Sequence, residues 1–110
     1  MKYIPEKGDI VWLNFEPQAG KEILKRRPAI VLSPKKYNQL TSMFIVCPAT
    51  TKIKNYPFEV EFSIDKKAKG AFLADQIKSL DWKIRKVKFI KKSDSKTLNE
   101  ILAKISALIF

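Results

Sequence analysis

The chain contains no histidine and a single cysteine, Cys47, in 110 residues. Without histidine there is no Ser-His-Asp or Cys-His triad, no HExxH zinc site and no imidazole pair to serve as general acid and base. Any catalysis must draw on Arg, Lys, Glu, Asp, Tyr, Ser or Thr. A lone cysteine closes no intrachain disulfide and builds no cysteine-rich zinc site, and it suits a reducing compartment. No apolar run approaches the roughly 20 residues that span a bilayer. Met1–Pro5 lacks the apolar centre of a signal peptide, so the expected location is the cytoplasm, with no membrane partner.

Acidic residues are also scarce, 11 against 22 basic ones, which leaves a net charge of +11. Such a charge calls for a polyanionic partner. Nucleic acid is preferred to a membrane surface because no segment sets a basic face against an aromatic one. The excess is concentrated in two regions, +5 over residues 21–40 and +4 over residues 81–100. The first holds Lys21, Lys25, Arg26 and Arg27. Much of the second, from Lys83 to Lys92, reads as a solvated strand edge on which lysine blocks edge-to-edge pairing.

What is present is the composition of a folded protein, 45% hydrophobic and 30% charged, and the length fits one domain over residues 1–110. Short strands are expected at 9–15, 28–33, 42–47, 58–64, 71–75 and 84–90. Each is bounded by Gly, Pro or polar turn residues, and Phe58-Glu-Val-Glu-Phe-Ser-Ile64 alternates with period two. Pro48 suggests that the third strand ends or bulges there. The period then changes: Leu98, Ile101, Leu102, Ile105, Leu108 and Ile109 recur at helical spacing behind Ser93, Asp94 or Ser95 as cap, which predicts a helix over 95–108. Its apolar stripe must pack on the sheet or on a second subunit. The fold class is mainly β with a C-terminal helix, a small barrel.

Five segments, in order, carry a resemblance. They are Gly8-Asp-Ile-Val-Trp-Leu-Asn-Phe-Glu-Pro17; Arg27-Pro-Ala-Ile-Val-Leu-Ser-Pro34 with Tyr37-Asn38; Cys47-Pro-Ala-Thr-Thr51; Tyr56-Pro-Phe-Glu-Val60; and Ala74-Asp-Gln-Ile-Lys-Ser79. Together they resemble the MazF/PemK family of toxin endoribonucleases, across nearly the whole chain. The resemblance implies an SH3-like barrel with an added helix, assembled as a homodimer. It implies a toxin that cuts single-stranded RNA at short motifs without metal or other cofactor, and a cognate antitoxin whose acidic disordered tail covers the RNA groove. A gyrase poison of the CcdB type, which shares the fold, and a non-catalytic nucleic-acid-binding barrel are the alternatives. The poison's inhibitory patch is built around a tryptophan near the C-terminus, whereas this chain ends Ala107-Leu-Ile-Phe110.

RNA cleavage without metal or histidine uses attack by the neighbouring 2′-hydroxyl on phosphorus, leaving a 2′,3′-cyclic phosphate and a 5′-hydroxyl. Negative charge gathers on the phosphoryl oxygens, and a fixed guanidinium suits it best. Arg27 stands where a long loop meets a strand, with Pro28 biasing it to an extended backbone. Read as a residue alone it is equally a surface arginine; the resemblance, which has arginine at this Arg-Pro position, makes it catalytic. Thr50 is by itself a β-branched turn residue, and the resemblance makes it a second catalytic group, a hydroxyl donor to a phosphate oxygen. Glu22, set among Lys21, Lys25, Arg26 and Arg27, is the candidate base that accepts the 2′-hydroxyl proton, or else a charge balancer. The Lys25-Arg26 pair before Arg27 is more basic than the family pattern and bears on RNA affinity.

RNA contacts are expected from Lys21, Lys25, Thr51, Lys54, Gln76 and Lys78, where Gln76 offers an amide that can read a base edge. Tyr56 is expected in the core, Trp12 and Trp82 in packing roles, and Asp75 as a buried structural acceptor.

Overall fold

The computed structural model describes residues 2–15, 26–67 and 69–110. Seven strands and two helices are arranged as β1 (Asp9–Asn14), β2 (Arg26–Val31), α1 (Lys35–Thr41), β3 (Met43–Thr50), β4 (Glu59–Ser63), β5 (Lys69–Leu73), β6 (Lys78–Asp81), β7 (Lys88–Lys92) and α2 (Ser95–Ile109). The strands pair antiparallel in the order β4-β5-β3-β2-β1-β7, with β6 also on β3. A mainly β fold with a C-terminal helix is what the hydrophobic pattern called for.

β3 is the hinge of the sheet. One of its edges pairs with β2; the other is divided, Met43–Val46 pairing with β6 and Ala49–Thr50 with β5. Pro48 therefore does not end the strand, contrary to expectation. It lies at the junction between the two partners, where the ladder is already interrupted. The open ends of the curved sheet are drawn together by Lys91 on β7, whose Nζ donates to the carbonyl of Ser63, the last residue of β4, at 2.7 Å.

Both faces of the central strands are covered, which explains why Asp9-Ile-Val-Trp-Leu13 and Pro28-Ala-Ile-Val-Leu32 read as nearly continuous apolar runs. Ile10, Ile30, Cys47, Ala49, Val60 and Phe72 face one side, where Ile101, Leu98 and Ile105 of α2 pack on them. Val11, Leu13, Ala29, Val31, Phe44 and Val46 face the other, closed by Trp82 and by Tyr3 and Ile4. The apolar stripe of α2 thus packs on the sheet for most of its length, while Leu108 and Ile109 stay exposed. Asp94 caps the helix by accepting from the Thr97 N–H at 2.8 Å, and hydrogen bonding by the Thr97 side chain first, then by its backbone N–H, holds the Asp94 carboxyl below the usual value.

Two elements were not expected, and one expected strand is displaced. Helix α1 was not legible: it begins beyond Pro34 and is closed by Ser42, whose φ of 60° lets its N–H reach the Asn38 carbonyl. Its anchor is Asn38, fully buried, which donates to the Pro5 carbonyl at 2.8 Å and accepts from Ser33 Oγ at 2.6 Å. Strand β6 carries almost no apolar signal in Lys-Ser-Leu-Asp. The strand expected at 84–90 starts four residues late, at Lys88. Asp81 Oδ1 accepts from the Lys83 and Ile84 N–H groups and Lys86 sits at φ 52°, so the chain turns through this stretch before it extends.

Candidate RNA-cleaving site

The register of β2 on β3 sets Ala29 opposite Pro48 and Ile30 opposite Cys47; carried two residues further, it sets Arg27 across from Thr50. The side chain follows the backbone. Arg27 Nε and Nη2 both donate to the Ala49 carbonyl, at 3.2 and 2.8 Å. The Arg27 guanidinium also lies 5.4 Å from the centroid of the Phe15 ring. Phe15 is held in turn by Arg85, whose Nη1 donates to the Phe15 carbonyl at 2.6 Å and to that of Asn14 at 3.2 Å. The guanidinium is thus anchored by its inner edge, leaving the outer N–H groups for a ligand.

Thr50 ends β3 opposite Ala71, and its Oγ1 accepts from the Lys52 N–H at 3.1 Å, which turns the chain and leaves the hydroxyl proton free to be given. Beneath it Gly70 is tightly fitted: a Cβ there would stand 3.0 Å from the Thr50 carbonyl oxygen. Arg27, Thr50 and Thr51 line one open cleft of ≈ 680 Å³, joined by Arg26, Lys52 and Lys69. Among the described residues no acidic side chain lines it. Trp12 also lines this cleft, half-buried with the Arg26 guanidinium 5.7 Å from its ring centroid, so its expected role as packing alone is incomplete. Trp82 is buried, as expected, and donates from Nε1 to the Asn38 carbonyl at 2.9 Å.

A second cleft of ≈ 600 Å³ adjoins the first, sharing Thr50 and Lys52 with it, and contains Lys54 and Gln76. Tyr56 and Asp75 meet here. Both are exposed rather than buried, which corrects the expectation of a core tyrosine and a buried acid; the Tyr56 hydroxyl donates to Asp75 Oδ2 at 2.7 Å. Asp75 is an acceptor, but on the surface, since the turn after β5 carries it out of the sheet. This hydrogen bond to Asp75 raises the Tyr56 phenol above its usual value, so the ring keeps its proton.

Among the residues expected to contact RNA, Lys78 opens β6 opposite Val46 and lines neither cleft. Lys21, Glu22 and Lys25 lie outside the described residues. Lys52 and Lys69 are cleft residues the site reasoning had not singled out; Arg26 had been read through the basic Lys25-Arg26 pair that bears on RNA affinity, and Asp75 only as a structural acceptor. Cys47 is buried behind Arg27's strand, and desolvation, helped by the charge of Asp75, pushes its thiol up to about 12. A protonated thiol of this kind is no nucleophile. Among the described residues no three His, Cys, Asp or Glu side chains converge as a metal site would require. No helix among them is long and apolar enough to cross a membrane.

A cationic cleft with an anchored arginine facing a threonine, on a curved sheet backed by one helix, defines a small mainly β protein built to handle a polyanion. Residues 6–109 match the family described as the PemK-like, MazF-like toxin of type II toxin–antitoxin systems, and the chain belongs to that family. It is 43% identical over 108 residues to the endoribonuclease toxin MazF of Escherichia coli K12, covering 98% of this chain and 96% of that one. It is 32% identical to the endoribonuclease toxin ChpB of the same strain, covering 94% of this chain and 93% of the relative. Among solved structures, MazF of Deinococcus radiodurans superposes with a TM-score of 0.86 at 42% identity, covering 98% of both chains. A MazE–MazF complex from the same organism gives 0.86 at 42% identity and 97% coverage of both.

Proposed function

We propose that this chain is the endoribonuclease toxin of a type II toxin–antitoxin pair, cutting single-stranded RNA by transesterification. The observation that carries the reading is the Arg27 guanidinium, fixed on the Ala49 carbonyl beside Thr50 at the wall of a cleft that Arg26, Lys52 and Lys69 also line. In this reaction the 2′-oxygen attacks phosphorus, the bond to the 5′-oxygen breaks, and the products are a 2′,3′-cyclic phosphate and a 5′-hydroxyl. The outer N–H groups of Arg27 bind the phosphoryl oxygens as charge accumulates on them, and the Thr50 hydroxyl donates to one of them. Both donors are held before the reaction begins, so little reorganisation is needed in the transition state. Glu22 takes the proton from the 2′-hydroxyl, and the departing 5′-oxygen takes one from solvent water to become the 5′-hydroxyl. Lys21, Lys25, Lys52 and Thr51 contact neighbouring phosphates, with Lys54 and Gln76 toward the bases and Lys78, outside both clefts, adding only to the surrounding positive charge.

No step in this scheme needs a metal ion. The toxin works as a homodimer: a surface this shallow holds several nucleotides more readily where two copies meet, and exposed Leu108 and Ile109 on α2 give apolar area for such a contact. An antitoxin with an acidic tail competes with RNA for the cationic cleft, in keeping with solved MazE–MazF complexes of similar fold. Incubation with a long unstructured RNA in EDTA, followed by mapping of the cut ends, tests the reading. Internal cuts with cyclic phosphate ends support it; intact RNA overturns it, with gyrase arrest then favouring the poison and RNA binding alone the non-catalytic module.

A further inference from the structure

The two adjoining clefts differ in one chemical respect. Among the described residues the one at Arg27 holds cations and no acid, whereas the one beyond Thr50 contains the carboxylates of Glu59 and Asp75. A carboxylate that takes no proton from the substrate repels the phosphodiester backbone, so these two groups must either be occupied by the protein or face something other than phosphate.

Glu59 is occupied. Its oxygens accept from the Lys54 N–H, both at 3.1 Å, and from the Tyr56 N–H at 3.1 Å. They tie down the loop from Lys52 to Pro57, which turns at Asn55 with φ 57°, in the left-handed region asparagine tolerates. Lys104 of α2 holds the same loop from behind by donating to the Pro57 carbonyl at 2.6 Å. Asp75 is different. One oxygen receives the Tyr56 hydroxyl, and the carboxylate is otherwise exposed in the cleft next to the Gln76 amide. Tyr56 fixes the carboxylate's orientation, and its own ring is held by a tilted contact with Phe58 at 5.7 Å between centroids. The result is a pocket with an anionic acceptor at one edge, adjoining the phosphate site through the shared Thr50 and Lys52.

We propose that this second cleft is a nucleobase pocket in which Asp75, oriented by Tyr56, selects a base bearing an exocyclic amino group and rejects uracil. Adenine, cytosine and guanine each offer an amino N–H to a carboxylate. Uracil presents a lone N–H between two carbonyl oxygens, which face the same charge unfavourably. Gln76, which both donates and accepts, completes the edge. The proposal deepens the RNA-cleavage reading and rests on it for the substrate.

The test compares cleavage of short RNAs in which each base of the mapped cut motif is replaced in turn by an analogue lacking the amino group, purine riboside for adenosine and uridine for cytidine. Wild-type protein should lose roughly ten- to a hundred-fold in kcat/KM at one position. Asp75→Asn, which is isosteric and exposed, should lose most of that discrimination by slowing on the amino substrate while cutting the analogue within about three-fold of wild type. Tyr56→Phe should fall between the two. If wild type is indifferent to the amino group at every position, or Asp75→Asn slows all substrates alike, the pocket assignment is overturned. Wild-type protein that cuts none of these RNAs overturns the nuclease reading instead. Equilibrium binding of the same RNAs then decides the pocket, discrimination supporting it and indifference overturning it.

Discussion

Replacing Arg27 by lysine keeps the charge and removes the geometry, so it separates the two contributions. A guanidinium has five N–H donors. Two of them, on Nε and Nη2, are spent on the Ala49 carbonyl at 3.2 and 2.8 Å, which leaves three directed outward in a fixed plane. Lysine has one nitrogen, which either stays at Ala49 and misses the phosphate or advances and loses its anchor. Loss of one preorganised donor to a developing oxyanion typically costs about 10²–10³ in rate, or about 3 kcal/mol. Arg27→Lys is therefore expected to fall about a hundred-fold in kcat, and Arg27→Ala, which loses charge as well, about a thousand-fold or more. The assay is single-turnover cleavage of a labelled RNA at saturating protein, with unchanged far-UV circular dichroism as the folding control. Activity of Arg27→Lys within about three-fold of wild type would refute the reasoning, because charge alone would then suffice.

Gly70→Ala should slow cleavage without unfolding the chain, because its Cβ would press on the Thr50 carbonyl at 3.0 Å and on Phe62 at 3.1 Å, a ring stacked on Phe72 and unable to yield; overpacking of this kind costs about 1–3 kcal/mol, read in a urea melt alongside the cleavage rate. Asn38→Ala should cost about 3 kcal/mol in the same melt with little effect on a saturated cleavage rate, since it strips partners from the Pro5 and Ser33 carbonyls and from Ser33 Oγ in a fully buried network far from the cleft. Stability should decline at both ends of the pH scale. Asp9 and Glu6 raise the Lys92 ammonium above its ordinary 10.5, so its contribution is complete below that value and is lost as pH climbs through the raised one. The lowered Asp94 carboxyl contributes above its ordinary 3.8 and is lost as pH falls through the lowered value; Lys92→Met should flatten the alkaline limb of a Tm–pH profile and Asp94→Ala the acid limb. Binding of RNA to Arg27→Ala should weaken with salt at a log–log slope of about −0.7 per phosphate neutralised, near −3 for about four contacts.

Local chemistry made much of this protein legible from its residues. The period-two strand ending in Ile64 and the 3.6-period stripe of α2 report directly which face is buried, and the Asp94 cap is a one-residue signal. Residues close in sequence to a turn or proline could be assigned because their constraints are local. The resemblance to toxin endoribonucleases likewise rested on short segments, and family membership agrees with it. Long-range pairing decided the rest. Only the register of β2 on β3 brings Arg27 to Thr50, 23 positions away in sequence. Only the division of β3 between β6 and β5 explains a proline inside a strand, and the turn at Asp81–Lys86 displaced β7 because its hydrogen bonds carry no hydrophobic signature. Tyr56 and Asp75 were misread for the same reason: an aromatic beside proline and an acid between apolar residues look buried in one dimension. Their exposure, and their meeting across 19 residues, follow from a loop held by Glu59 and a helix that reaches it with Lys104, contacts that exist only once the sheet has closed.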